Sequence, residues 1–94
     1  MRDIVRLFLS EIPGRLASMD EFLQAGRLSD FHRIVHQMKG AAGGYGFQEI
    51  SNSAATLERC IKLSGDRWCK DCQAHLEVFR NLMRRAHAGL ETLP

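Results

Sequence analysis

The 94-residue chain has little of what interrupts or decorates a helical protein: two prolines, one tryptophan, one tyrosine and an aromatic share of 7%. So few prolines, with only eight glycines, exclude a collagen-like or low-complexity chain. Charge of either sign is not in excess, since 13 Lys and Arg stand against 11 Asp and Glu, a net of +2. A small nucleic-acid binder usually carries a dense basic stripe or interleaved aromatics, and the chain has neither, so no nucleic-acid partner is expected. Long apolar runs are missing too. Ile4-Val5-Arg6-Leu7-Phe8-Leu9 is broken by Arg6 and followed by Glu11, well short of the roughly 20 apolar residues of a membrane span and unlike a signal peptide. There is no glycine-rich phosphate loop and no room for an ATP-binding domain. Three cysteines, an odd number without a secretory signal, imply free thiols in a reducing cytoplasm.

What is present is 45% hydrophobic residues in a helical rhythm. A chain of this length makes one domain, 1–94. Ile4, Val5, Phe8, Leu9 and Ile12 form a first stripe, and Pro13 fits the opening turn of a second helix carrying Leu16, Met19, Phe22 and Leu23 up to Gly26. Ser29 or Asp30 is a natural N-cap for a helix with Phe31, Ile34, Val35, Met38 and Ala42 inward and Gly46 as its stop. Phe47, Ile50, Ala54, Leu57 and Ile61 mark the next helix, closed by Ser64-Gly65. Asp66 can cap a last one with Trp68, Cys72, Leu76, Phe79, Met83 and Ala86 on its stripe. No segment alternates with period two. The expected fold is all-α, an antiparallel up-down four-helix bundle with a short extra N-terminal helix.

The chemistry concentrates in His36-Gln37-Met38-Lys39-Gly40-Ala41-Ala42-Gly43-Gly44-Tyr45-Gly46-Phe47. At about 100° per residue, with Phe31 at zero, the apolar positions fall within about 60° of zero and His36 near 140°. His36 therefore faces solvent. Gly40 and Gly43 lie within about 40° of it, although a glycine inside a helix costs about 1 kcal/mol relative to alanine. Bare backbone there gives a bulky group or a partner surface steric access to the imidazole. Ending the helix early would account for Gly43 and Gly44, but not for Gly40. A neutral imidazole is a nucleophile near neutral pH, and the Lys39 ammonium can attract phosphoryl oxygens as a point charge.

His36-x-x-Lys39-Gly40, followed by Gly46-Phe47, resembles the signature of histidine-containing phosphotransfer domains and the phosphoacceptor domain of chemotaxis-type histidine kinases. The likeness spans nearly the whole chain as a helical bundle and is specific in sequence over about residues 31–61. It implies a bacterial phosphorelay carrier rather than an enzyme: His36 takes a phosphoryl group from a receiver-domain aspartate and hands it to another. In that family the receiver brings Mg²⁺, so no cofactor is expected here. The resemblance also maps onto Glu58 a glutamate that hydrogen-bonds Nδ1 of the histidine; an ordinary solvated residue is the competing reading. His32, Arg33 and Gln37 are receiver contacts or plain surface. Implied partners are response-regulator receivers, a hybrid histidine kinase, or both, with the domain a monomer. Two alternatives stand beside the carrier: a phosphoacceptor domain fed by a histidine kinase in trans or in a longer parent chain, and a helical scaffold or zinc-binding bundle.

The zinc alternative rests on Cys69-Lys70-Asp71-Cys72, with His75 three residues on and Cys60 on the preceding helix. Zinc motifs favour a tight turn, whereas this one lies on an expected amphipathic helix with Cys72 in the apolar stripe. Packing is therefore the expected role of these cysteines, without metal. His75 and His87 sit in ordinary amphipathic pattern.

Overall fold

A computed structural model describes residues 2–65 and 67–92. Four helices follow one another, α1 (Arg2–Gln24), α2 (Leu28–Gly44), α3 (Gln48–Leu63) and α4 (Lys70–Ala88), and a short 3₁₀ turn runs over Gly89–Thr92. Short connections force sequential helices to pack antiparallel. α1 lies against α2 and α4, and α3 against α2 and α4, closing a four-helix ring.

The separate N-terminal helix is not observed: α1 runs unbroken through Pro13. Proline removes one backbone donor and crowds the preceding turn, at a cost of about 3 kcal/mol. Burial of Phe8, Leu9 and Ile12 before it and Met19 after it against one core holds both halves on a common axis. Pro13 itself is exposed. Ile4, placed inward by its spacing, is 47% exposed.

The other stripes enter the core as spaced. Phe31, Val35, Met38 and Ala42 of α2 meet Ile50, Ala54, Leu57 and Ile61 of α3 and Cys72, Leu76, Phe79 and Met83 of α4. Gly26, Gly46 and Gly65 follow α1, α2 and α3 with φ of 72°, 89° and 69°, a left-handed backbone that L side chains resist. The helix starts differ from expectation. The N-cap of α2 is Arg27, not Ser29 or Asp30, and Asp30 instead pairs with Arg27 at 2.6 Å within the first turn. The N-cap of α4 is Cys69. Trp68 thus precedes the helix and packs edge-on against Phe31, ring centroids 5.4 Å apart. The proposed cap Asp66 lies outside the described residues. Phe8 contacts both Tyr45 and Phe47, at 5.3 and 5.5 Å, seating the α2–α3 turn on α1.

Candidate functional site

Midway along α2, His32, His36 and Lys39 follow a spacing of four and three, so their side chains rise on one stripe beside α3. The residue facing them is Glu58, which follows the core residue Leu57 and is only 5% exposed. All three converge on its carboxylate. Oε2 lies 3.1 Å from Nδ1 of His36 and 2.9 Å from Nε2 of His32, and Oε1 lies 2.8 Å from Nζ of Lys39.

The electrostatics set the protonation pattern. Burial alone pushes the Glu58 carboxyl up. Hydrogen bonds from Lys39, His36 and His32, with the Lys39 charge, outweigh it and hold the group below its ordinary value of 4.5. An ionised carboxylate only accepts. His32 therefore donates from Nε2 and His36 from Nδ1. A neutral His36 is then left with its lone pair on Nε2, on a side chain that is 66% exposed. The buried carboxylate thus holds the ring of a largely exposed side chain.

The remaining candidates divide. Gly40 is exposed, and a Cβ built on it would meet nothing within 4 Å, so the space beside His36 is open. Gly43, grouped with Gly40 by its wheel angle, has a different neighbour: its Cβ would lie 3.2 Å from Oγ of Ser51 on α3. Ser51 in turn donates a hydrogen bond to the Lys39 carbonyl at 3.0 Å. Gly43, also exposed, thus lies where α2 and α3 approach closely. Lys39 is held by Glu58 rather than extended toward the imidazole. His32, read as a receiver contact, is turned onto Glu58, with 27% of its side chain exposed. Arg33 stays 71% exposed. Gln37, next to His36, lines a shallow groove between α1 and α2 with Gly14, Arg15 and Ile34. Sequence reasoning missed Ser51 and the inward role of His32. The spacing of 32, 36 and 39 was the available signal for the second; nothing local marked the first.

The Cys69-x-x-Cys72 pair does not lie wholly on a helix. Cys69 is an extended N-cap residue, φ −131° and ψ 173°, and only Cys72 is inside α4. Hydrogen bonding to the Cys72 backbone and thiol holds the Cys69 thiol below its ordinary value, while contact with Cys72 and burial push Cys60 up to about 12.

Taken together, the fold and the site define a small helical module in which one buried carboxylate anchors two histidines, the more exposed of them His36. Compared with known families, the chain matches the model of the Hpt domain over residues 3–89. It belongs to the Hpt domain family, and with it to histidine phosphotransfer in two-component signalling. Comparisons with curated proteins and with solved structures gave no match. Among the described residues no helix is long and apolar enough to cross a membrane.

Proposed function

We propose that His36 is the phosphoacceptor of a phosphorelay carrier that exchanges phosphoryl groups with receiver-domain aspartates. The observation that carries this reading is the contact of Nδ1 with Glu58, which leaves an exposed Nε2 lone pair. That lone pair attacks the phosphorus of a receiver aspartyl phosphate. The N–P bond forms as the P–O bond to the aspartate breaks, and the aspartate leaves as carboxylate. The Nδ1 proton stays on the ring, where Glu58 balances the charge that imidazole gains. Transfer to a second receiver is the same displacement reversed.

Lys39 supports this in two ways. It neutralises Glu58 in the resting state, and its ammonium stands on the stripe of His36, within reach of phosphoryl oxygens once they arrive. The open space at Gly40 admits the receiver's loops, and Arg33, Gln37 and the α1–α2 groove supply the contact surface. Mg²⁺ and the groups that activate the aspartyl phosphate belong to the receiver. The domain needs no nucleotide and has no turnover of its own, and it acts as a monomer in the cytoplasm, where receivers reside.

The test is labelling of the wild-type chain and His36→Gln by a panel of phosphorylated receivers, read by intact mass and acid lability. One acid-labile phosphate on wild type and none on the variant is the expected result. Labelling only by a histidine kinase with ATP favours the kinase-fed alternative. Absence of labelling by either overturns the assignment of His36.

A further inference from the structure

The three cysteines converge on one point although they come from different places in the chain. Cys60 lies in the last turns of α3, Cys69 caps α4, and Cys72 sits in its first turn. Sγ of Cys72 is 3.4 Å from that of Cys69 and 3.3 Å from that of Cys60, and all three sulfurs lie within 4.8 Å of one another. These are free thiols. The separations of 3.3 and 3.4 Å exceed the roughly 2.05 Å of a disulfide and fall about 0.5 Å short of the roughly 3.8 Å that a tetrahedral ion with 2.3 Å bonds to sulfur imposes between its ligands. The triangle is thus slightly tighter than one face of such a site.

Its surroundings fit the same purpose. Cys72 is fully buried, and Oγ of Ser64, which donates to the Arg67 carbonyl at 2.6 Å, lies 3.9 Å from its sulfur. Cys60 and Cys69 are half-buried at the edge of a cavity that Arg59, Asp71 and His75 also line. An ion can enter there and find a fourth ligand. His75 itself stands outside the thiol cluster, so the grouping drawn from sequence, three cysteines and a histidine, reduces to three sulfurs and an open position. Packing alone is the expectation when the whole Cys-x-x-Cys lies on an amphipathic helix with Cys72 in its apolar stripe. With Cys69 in the extended turn and Cys72 in the first helical turn, both sulfurs aim at one spot. Cys72 lies in the core and Cys60 and Cys69 pack against it, but packing alone does not require the three sulfurs to meet.

We propose that Cys60, Cys69 and Cys72 bind one Zn²⁺ as thiolates, joining the end of α3 to the start of α4, with the fourth position toward the His75 cavity. Each thiol gives up its proton as its Zn–S bond forms. Cys60 is two residues from Glu58, about 200° around α3. The ion would thus stand on a different face from His36, and the proposal does not depend on the function of that histidine.

The experiment is titration of the reduced chain with Zn²⁺, followed by native mass spectrometry and thermal melting, and with Co²⁺, followed by absorption. Cys69→Ser is the informative variant, because serine is a favoured N-cap and preserves the helix start; circular dichroism checks its fold. Expected are one Zn²⁺ per chain, a higher melting temperature, and a sulfur-to-cobalt charge-transfer band with tetrahedral d–d absorption. Cys69→Ser, and separately Cys60→Ser, should weaken binding by at least about 100-fold, since loss of even an outer partner costs 10–100-fold. Three outcomes overturn the proposal: no stoichiometric uptake by wild type, uptake unchanged in folded Cys69→Ser, or a cobalt complex without the thiolate band. A two-dalton mass loss that persists when Zn²⁺ is offered before any oxidant overturns it too, in favour of a disulfide.

Discussion

Removing the Glu58 carboxylate tests the site most directly, because that group decides which nitrogen of His36 is free. In Glu58→Ala the ring loses an acceptor 3.1 Å from Nδ1, and His32 and Lys39 lose theirs as well. A hydrogen bond to a charged group contributes about 1.5–3 kcal/mol. Expressed as a ratio of tautomers, that is a factor of about 10–150. The reactive form cannot exceed full population, so the rate falls by less than the ratio. Once the bias is gone, the competent fraction drops to what a free imidazole prefers, and receiver-driven labelling slows by roughly three- to tenfold. His36→Gln, by contrast, abolishes labelling. Glu58→Gln separates charge from shape, since its amide oxygen can still accept from Nδ1 while the pairing with Lys39 is lost; its rate should lie between wild type and Glu58→Ala. The tautomer is read from nitrogen shifts of the labelled imidazole, and the rate by phosphoryl transfer under single-turnover conditions. A Glu58→Ala protein that keeps the Nδ1–H tautomer and labels at the wild-type rate would refute the reasoning, since the ring would then need no carboxylate to orient it.

Further outcomes follow from the same geometry. Gly40→Ala, with nothing near its added Cβ, should raise stability by about 1 kcal/mol, seen as a melting point about 4–8 °C higher. Gly40→Gln should fold equally well yet slow labelling by tenfold or more, roughly, through a misplaced approach to His36. Gly43→Leu should lose about 1–3 kcal/mol in denaturant melts, because its Cβ already lies 3.2 Å from the Ser51 hydroxyl. Gly46→Ala, at φ 89°, should lose about 1–2 kcal/mol, and an unchanged denaturation midpoint would count against the left-handed turn. The Glu58 carboxyl is held below 4.5, so its stabilisation is present above that pH and is lost as pH falls through the folded value. Between about pH 5 and pH 3 the wild-type melting temperature should therefore fall more steeply than that of Glu58→Gln; parallel curves would contradict the shift.

Periodicity was enough for α2 and α3 because their stripes are regular and each is followed by a glycine with positive φ that other residues replace only at a cost. Phe31, Val35, Met38 and Ala42 go inward for the reason their spacing states, and His36 goes outward for the same reason. Local rules failed where a distant surface outweighed them. Pro13 reads as a boundary from its own chemistry, yet it lies inside α1 because residues on both sides bury against one core. Asp30 has the side chain of an N-cap, but the helix begins earlier and the carboxylate pairs with Arg27 instead. Gly40 and Gly43 look alike on a wheel, and only the position of Ser51 on α3 tells them apart.

The amino-acid sequence by itself determined the all-α class, the inward stripes, the turn glycines and the solvent-facing side of α2, because each depends on neighbours within a few residues along one helix. The tertiary structure decided the rest: the carboxylate of Glu58 set against His32, His36 and Lys39, and the three sulfurs gathered from α3 and the start of α4. Those arrangements depend on how one helix is rotated and shifted against the next, which the packing of the whole core sets and no local pattern encodes.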